Sequence, residues 1–303
     1  MTRPPEELAG VANLDCSGMD ALVTGSTSGI GRDAALALGR LGAEVIVHGR
    51  DEAAGATVVD ELRAVGADGR FVKADFASVD AVHELADTVR AETDGLDLLL
   101  NNAGGFFREG RLTDLGVEYT FHVNHLSPFL LTVELLDHLT DDARIVTTAS
   151  GAHQGASLDL DRIQRVEDFS SFWAYSHSKL CNILFASELA RRLQDANRDI
   201  TSNNIHPGAI PGSGFSRFLP GPIPRLVKGL SFVPGVTTVA DGAAELLVPA
   251  LSPRTADVTG RYFTGQQPTT PSADAQDADA AQQLWAYSAD VLDVDPPFET
   301  VEP

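Results

Sequence analysis

The chain has 303 residues and 43% of them are apolar, enough to bury a full hydrophobic core, and α/β folds approaching this length are common as one domain. It carries 43 acidic against 22 basic side chains, a formal net charge of −21. Such an acidic surface repels phosphate backbones and anionic headgroups, so we expect no nucleic-acid and no membrane-surface partner.

The excess of acidic residues has two explanations, ordinary solubility or adaptation to molar salt. At about 1 M salt the Debye length falls to roughly 3 Å, so repulsion among the carboxylates is screened. Under the second hypothesis the melting temperature rises between low salt and molar KCl, as thermal unfolding followed by circular dichroism would show. A melting temperature that stays constant or falls would leave ordinary solubility as the explanation.

The cysteines and the first residues bear on cellular location. Cys16 and Cys181 can form at most one disulfide, and neither belongs to a CxxC pair or to a spacing typical of a metal site, which indicates reduced thiols. Residues 1–14 lack the basic region and apolar run of a signal peptide, and no stretch reaches the ~18 uninterrupted apolar residues of a membrane span. We therefore predict a soluble, cytoplasmic protein.

Short apolar runs alternate with stretches of helical period from residue 21 to residue 147, a pattern typical of βα units around a parallel sheet. The predicted strands are 21–24, 44–48, 70–73, 96–101, 144–148, 201–206 and 260–264. The predicted helices are 31–41, 53–65, 79–91, 117–139, 175–193 and 282–292. The sequence thus predicts the α/β class, with residues 1–303 forming a single-domain doubly wound Rossmann fold whose mainly parallel sheet has about seven strands.

Two segments interrupt this alternation. Residues 207–234 are rich in Gly and Pro with interspersed Phe, Leu and Arg, too apolar for a linker and too broken for one helix, and we interpret them as a substrate lid. Residues 266–281 are polar and rich in Ala and Asp. We predict a loop there, at the start of a C-terminal tail, 266–303, that contains the last helix.

The first predicted strand leads through a glycine-rich turn into an amphipathic helix. The turn consists of Thr24, Gly25, Ser26, Thr27, Ser28, Gly29, Ile30 and Gly31. Gly25 permits a tight turn, Gly29 lets the backbone approach a pyrophosphate, and Gly31 allows close helix packing, while the phosphates face the helix N-terminus. We predict that this turn binds a dinucleotide.

The end of the second strand indicates which dinucleotide is bound. Many NAD enzymes carry an acidic residue there that bonds the ribose 2′-hydroxyl, but here the chain reads His48-Gly49-Arg50. Because Arg50 can pair with a 2′-phosphate, we predict NADP rather than NAD as the cofactor. Asp51 is either a competing carboxylate or the cap of the next helix, and Arg32 either assists Arg50 or is an exposed side chain of the first helical turn.

Two further strand ends add residues to this site. Asp75, with Phe76 beside it, accepts the adenine amino group in the functional interpretation and forms a turn in the alternative. The fourth strand ends in Asn101, Asn102, Ala103 and Gly104, where ligands bind in open α/β sheets. Side-chain amides there can hold the backbone, while Ala103 and Gly104 leave room for the cofactor.

Tyr175 and Lys179 lie one helical turn apart. A phenol with its ordinary pKa of about 10 is a poor acid or base at neutral pH unless a nearby cation stabilises the phenolate. Lys179 supplies that cation on the same helix face. Together with the glycine-rich turn, this pair predicts an enzyme that transfers hydride.

These motifs resemble the short-chain dehydrogenase/reductase family over nearly the whole chain, most closely its retinol-dehydrogenase-like and WW-domain-oxidoreductase-like branch. The general resemblance rests on the glycine-rich turn, 101–104, Asn124, Ser150, Tyr175, Lys179 and Pro207-Gly208, which occur in the family's order. The narrower one rests on Phe121-His122-Val123-Asn124-His125-Leu126, on the long interval between Ser150 and Tyr175, and on 174–193.

The resemblance implies a role for each of these residues. Tyr175 acts as general acid in reduction and general base in oxidation, and Lys179 lowers its pKa and bonds the nicotinamide ribose. Ser150 holds the substrate oxygen, and Asn124 supports a water that relays protons to Lys179. Pro207 and Gly208 contact the cofactor. The family places a threonine shortly after Pro-Gly, whereas this chain has glycine there, followed by Ser213.

The predicted function is NADP-dependent interconversion of an apolar alcohol and a carbonyl compound. Aromatic and aliphatic residues suit such a substrate: Phe106, Phe107, Phe172 and Trp173 flank the site, and the lid contributes Phe215, Phe218, Leu219, Ile223, Leu226 and Phe232. The alternatives are a catalytically silent dinucleotide-binding regulator and a reductase of carbon–carbon double bonds.

Two further expectations concern metal binding and assembly. We predict no metal site, because the histidines lack a repeated ligand spacing with carboxylate or thiol partners; they include His122, His125, His153 and His177. A homo-oligomer is possible, with the helices 117–139 and 175–193 as its expected interface.

Overall fold

A computed structural model describes residues 3–208, 237–295 and 298 of the chain. Eight strands form one sheet in the order β3-β2-β1-β4-β5-β6-β7-β8. Neighbouring strands are parallel except for β8, which runs antiparallel to β7. The strands are β1 (Asp20–Val23), β2 (Glu44–Gly49), β3 (Gly69–Lys73), β4 (Leu96–Asn101), β5 (Leu139–Thr148), β6 (Thr201–Ile205), β7 (Tyr262–Thr264) and β8 (Gln267–Thr269).

Helices connect these strands and cover both faces of the sheet. They are α1 (Pro5–Leu8), α2 (Gly29–Arg40), α3 (Glu52–Ala64), α4 (Val79–Glu92), α5 (Tyr119–Phe121), α6 (Ser127–Leu135), α7 (Ser171–Asp195), α8 (Val239–Leu251) and α9 (Ala278–Leu292). Side-chain oxygens begin several of them; Asp51 caps α3, Ser78 caps α4, and Thr238 forms a capping box with Asp241 in α8. No helix in the described ranges is long and apolar enough to cross a bilayer.

The sheet has one hydrophobic core on each face because successive strand residues point to opposite sides. On one side Leu22 and Ile46 pack with α4, α6, α7 and α9. On the other side Val23 and Val45 pack with α2, α3 and α8. Since both faces are covered, β1, β2 and β4 are largely apolar, which explains why short apolar runs marked them in the sequence.

The strand order places a crevice between β1 and β4. The chain winds outward from β1 through β2 to β3 and then crosses back to β4 on the other side. Helices that follow strands on opposite sides of this point diverge, and ligands of open α/β folds bind in the gap at the carboxyl ends of the strands. The glycine-rich turn after β1 and residues 102–104 after β4 meet there.

The predicted fold class and all seven predicted strands are confirmed, with shifted boundaries. The chain adds β8 and the helix α8, and β5 begins at Leu139 rather than at residue 144. The predicted loop 266–281 is partly wrong, because it contains β8 and the start of α9. All three β8 residues are exposed, so no apolar pattern marked this strand, which is defined by its hydrogen bonds to β7.

The predicted single helix 117–139 is divided. It begins with α5, continues as a π-helical turn from His122 to Leu126, and resumes as α6. The π-helical turn contains Asn124. Of the predicted lid, 209–234 lie outside the described residues, and so do Ser213 and the aromatic and aliphatic lid residues.

The helices expected at a dimer interface are covered within the chain. No residue of 117–136 is exposed, and none of 173–190 is. The C-terminal helix α9 packs along α7, where Trp285 lies 5.0 Å from Phe129 and 5.9 Å from Phe185 between ring centres. Most of both helices is therefore covered within the chain, and the expected oligomer interface stays a prediction.

Candidate active site

Two of the three glycines in the glycine-rich turn have no room for a side chain. Gly25 has φ +65°, and a Cβ atom added to it would lie 2.8 Å from the Cα of Ala103. A Cβ atom on Gly31 would lie 2.6 Å from the carbonyl oxygen of Gly25 and 2.5 Å from Nδ2 of Asn102. Gly29 has φ +59° with open space around it. The turn is thus packed tightly below and open at Gly29, as a cradle for a phosphate requires.

The hydroxyl of Thr24 joins this turn to the end of β4 by hydrogen bonds. It accepts hydrogen bonds from the backbone N–H groups of Asn102, at 2.9 Å, and Ala103, at 3.0 Å. The carboxamide of Asn102 returns a bond from Nδ2 to the Thr24 carbonyl at 3.0 Å. Two separately predicted parts of the site therefore form one rigid unit across the crevice.

The remaining turn residues divide into structural and accessible ones. Ser26 is buried, and its hydroxyl donates to the Val23 carbonyl at 2.6 Å, so its side chain holds the turn. Thr27 packs against the end of β2, since a Cβ atom added to Gly49 would lie 2.6 Å from the Thr27 methyl group. Ser28 is exposed and makes no side-chain bond to the N-terminus of α2, whose first N–H groups are thus not capped by it. That end of α2 suits an anion.

The charged residues near the second and third strands have distinct partners. Arg50 is 65% exposed, and its Nη1 lies 3.8 Å from Asp75 Oδ1. Asp51 caps α3 by accepting from Ala53 at 3.0 Å and Ala54 at 3.1 Å, the structural role foreseen for it. Arg32 makes two bonds to Glu61, at 3.0 and 2.5 Å. Arg50 is therefore held by a longer ion pair than Arg32 is.

The adenine-side residues are only partly available. Asp75 is exposed, and its Oδ1 accepts from the Ala77 N–H at 3.1 Å, as in the turn-forming alternative. Phe76 is 3% exposed and stacks on His48 with 4.6 Å between ring centres. The Phe76 side chain thus belongs to the core.

The four predicted catalytic residues come from three parts of the fold. Tyr175 and Lys179 lie on α7, Ser150 follows β5, and Asn124 lies in the π-helical turn. A hydrogen bond joins the side chains of Ser150 and Tyr175. Lys179 Nζ lies 5.7 Å from the centre of the Tyr175 ring. The structure therefore brings together all four residues that the sequence singled out for catalysis.

Asn124 is held by the loop after β4. Its Oδ1 accepts from the Gly105 N–H at 2.8 Å, and its Nδ2 donates to the Gly105 carbonyl at 2.9 Å. Nδ2 also donates to Ser178 Oγ at 3.0 Å. A Cβ atom on Gly104 would lie 3.0 Å from Asn124 Oδ1 and 3.5 Å from Lys179 Nζ. Glycine at 104 therefore keeps the approach to Lys179 open.

Burial dominates the electrostatics of the catalytic pair. It raises the pKa of Tyr175, an effect only partly offset by the hydrogen bond with Ser150. Burial also lowers the pKa of Lys179 to about 8, and its ammonium donates to the Thr148 carbonyl at 2.9 Å. The phenol is thus neutral at pH 7 and able to donate a proton, whereas no lowering of its pKa by Lys179 is seen in the protein alone.

Pro207 and Gly208 follow β6 at the same edge of the sheet. Gly208 has φ +83°, and a Cβ atom on it would lie 2.6 Å from Thr237 Oγ1. Among the aromatic residues, Phe106 lies 5.6 Å from Tyr175 between ring centres, and Phe172 is 60% exposed. Phe107 packs on Tyr119 and Trp173 on His177. Of these four aromatic side chains, Phe172 is the exposed one.

The role of His48, a buried histidine beneath the glycine-rich turn, was not predicted from the sequence. Its Nδ1 accepts from the Gly25 N–H at 3.2 Å. The available signal was a histidine in an otherwise apolar strand directly before Gly49 and Arg50.

Comparisons with known proteins show what this chain is similar to. The sequence model of the short chain dehydrogenase family matches residues 20–217. Human retinol dehydrogenase 13 is 35% identical over 94% of this chain and 88% of its own length. A solved structure of an uncharacterized protein from Mycobacterium paratuberculosis has 31% identity and a TM-score of 0.75, covering 94% of this chain and 97% of that one. A Burkholderia cenocepacia short chain dehydrogenase in complex with NADP has 27% identity and a TM-score of 0.66, covering 86% and 99%.

Proposed function

The chain belongs to the short-chain dehydrogenase family, and from that membership we propose that it interconverts an apolar alcohol and its carbonyl compound with NADP as the cofactor. The observation that carries the proposal is the hydrogen bond between Ser150 and a neutral Tyr175, beside the buried ammonium of Lys179. A protein that only binds a dinucleotide needs the glycine-rich turn but not this second group of residues.

The residues of the crevice fit a dinucleotide. Gly25 and Gly31 leave no space for side chains under the turn, and the exposed start of α2 offers backbone N–H groups to a phosphate. Thr24 and Asn102 fix the two walls relative to each other. Such a cofactor, when bound, supplies or accepts the hydride.

The proton chemistry is assigned to this chain's own residues. In reduction, negative charge develops on the substrate oxygen as its carbon receives hydride. Ser150 and Tyr175 donate hydrogen bonds to that oxygen, and the Tyr175 hydroxyl gives it a proton, which completes the alcohol. Because this charge exists only as the reaction proceeds, the two donors stabilise the transition state more than the ground state. Lys179 stabilises the resulting phenolate.

Support for an apolar substrate comes from Phe106 and Phe172, which present aromatic surface near Tyr175. The name of the human relative, retinol dehydrogenase 13, points to the same chemical class. We propose Pro207-Gly208 as part of the nicotinamide subsite, where either the Ser213 hydroxyl or backbone groups serve in place of the family's threonine. The cytoplasm remains the proposed location.

Parallel titrations with NADPH and NADH in molar KCl test this function. Nicotinamide fluorescence reports binding, and apolar aldehydes and ketones are then added to the tighter complex. Preferential NADPH binding with carbonyl-dependent oxidation is the expected result. Binding without turnover across a broad panel would favour the regulator instead, and failure to bind either nucleotide would contradict the cofactor site. Product analysis distinguishes carbonyl reduction from reduction of a carbon–carbon double bond.

Replacing Arg50 by alanine is expected to weaken NADPH binding about ten-fold or more and to change NADH binding little. The guanidinium would otherwise pair with the 2′-phosphate, which NADH lacks. Its ion pair with Asp75 is exposed and long, so removing it costs the fold little. Arg63→Ala, which removes an equally exposed arginine from α3, is the matched control. Equal losses for both nucleotides would argue against a 2′-phosphate contact.

A further inference from the structure

His48 lies at the junction of two parts of the proposed cofactor site. It ends the apolar run of β2 and is 3% exposed. Its Nδ1 is 3.2 Å from the backbone nitrogen of Gly25, and its Nε2 is 3.2 Å from the carbonyl oxygen of Ala74. The ring stacks on Phe76 at an interplanar angle of 25°. The imidazole therefore bridges the glycine-rich turn and the segment after β3.

These contacts determine the tautomer of the ring. The Gly25 N–H can only donate, so Nδ1 must be unprotonated, and the Ala74 carbonyl can only accept, so Nε2 carries the proton. Burial lowers the pKa of His48 to about 4, with Asp75 after β3 opposing this effect and Arg50 adding to it. The glycine-rich turn contributes no titratable side chain. The ring is therefore neutral at pH 7, with both nitrogens satisfied.

The Nδ1 contact turns one backbone N–H of the glycine-rich turn inward. Gly25 adopts φ +65° and packs against Ala103, so its peptide has one orientation in which the N–H meets His48. The neighbouring Ser26 is fixed from the same strand, because its N–H donates to the His48 carbonyl at 2.9 Å. The N–H groups that remain for a phosphate are those at the start of α2. His48 thus sets which part of the turn faces the ligand.

We infer that His48 is a positioning residue that orients the glycine-rich turn by accepting the Gly25 N–H at Nδ1, while the Nε2 contact with the Ala74 carbonyl fixes the tautomer. This role rests on the proposed dinucleotide site, and His48 acts in it through Gly25 because its own ring is buried. A side chain that merely fills space at this point would need to be apolar and of similar volume, not a paired donor and acceptor.

Two substitutions distinguish the hydrogen bond at Nδ1 from the packing of the ring. In His48→Asn the amide oxygen takes the place of Nδ1 and can accept from Gly25, whereas in His48→Gln the amide nitrogen takes the place of Nε2 and leaves the Gly25 N–H unpaired. We expect the Gln variant to bind NADPH about ten-fold more weakly and the Asn variant to stay within about three-fold of the native protein. The rate at saturating NADPH should change in neither.

The outcomes distinguish this inference from the proposed function. Suppose that the native protein binds NADPH. If the Asn and Gln variants then lose NADPH affinity equally, or if neither loses it, positioning through Nδ1 is overturned. If the native protein binds neither NADPH nor NADH, the cofactor site itself is wrong. Long-range ¹H–¹⁵N spectra of the native protein need no variant: an Nε2–H tautomer at pH 7 supports the inference, and an Nδ1–H tautomer contradicts it.

Discussion

Replacing Tyr175 by phenylalanine is expected to lower turnover about 100- to 10,000-fold, the range typical of removing a general acid or base. The change deletes one oxygen and leaves the ring in contact with Phe106. Ser150 then loses its hydrogen bond with the phenol, and the proposed proton donor to the substrate oxygen is gone. Single-turnover measurements at saturating NADPH would show the loss in the chemical step.

Two controls define what this loss means. NADPH affinity should stay within a few-fold, because the phenol does not hold the pyrophosphate. Tyr287→Phe, on α9, removes the hydroxyl of a tyrosine outside the proposed site and should leave turnover unchanged. Undiminished turnover in the Tyr175 variant would refute the assignment of Tyr175, whatever the cofactor data show.

Replacing Lys179 by methionine is expected to lower turnover at least 100-fold while making the protein more stable at pH 7. The activity falls because the phenolate of Tyr175 loses the nearby cation. The stability rises because burial lowers the pKa of Lys179 from its usual 10.5 to about 8 in the folded state, so the folded protein holds a proton that burial disfavours. That difference corresponds to about 3 kcal/mol.

The pH dependence has a definite sign. Below pH 8 the lysine is charged in both the folded and the unfolded state, so the folded protein bears the full free-energy cost of burying the charge. Between about pH 8 and 10.5 the folded state releases its proton before the unfolded state does, so the native protein gains stability relative to the variant. Urea unfolding at pH 7 and pH 10 should thus show a methionine advantage that shrinks with rising pH.

A matched substitution checks that the effect comes from burial. Lys73 is 58% exposed and pairs with Glu52, so Lys73→Met should change stability by less than about 1 kcal/mol and leave turnover intact. The Thr148 carbonyl keeps a bond from Asn182 when Lys179 is lost, at 3.1 Å. A Lys179 variant that is less stable than the native protein at pH 7 would show that its hydrogen bond outweighs the burial of its charge.

Much of the fold could be predicted because its signals are local. The strands β1, β2 and β4 contain short apolar runs, since a parallel sheet covered on both faces needs apolar residues on both sides of each strand. The eighth strand and the helix α8 were not predicted. All three residues of β8 are exposed, and the strand is defined only by its pairing with β7. The π-helical turn at Asn124 was also not predicted, and the Asn124 carboxamide bonds Gly105, 19 residues earlier in the chain.

Part of the site could likewise be predicted from the sequence alone. Glycine at 25, 29 and 31 follows from the geometry of a tight turn before a helix, and the four-residue interval from Tyr175 to Lys179 places both on one helix face. Both inferences require only neighbouring residues, whose relative positions are set by the period of a helix or a turn.

Only the tertiary structure decided which polar groups face a ligand and which hold the scaffold. Ser26, Asn102 and Phe76 were all assigned to the cofactor site, but the Ser26 hydroxyl, the Asn102 carboxamide and the Phe76 ring bind other parts of the protein. The role of His48 depends on Gly25 and Ala74, which lie 23 and 26 residues away in the chain. Parallel strand pairing brings such distant groups into contact, and burial then requires each donor to find an acceptor. Because the paired groups are distant along the chain, these hydrogen bonds produce no periodic pattern in the sequence.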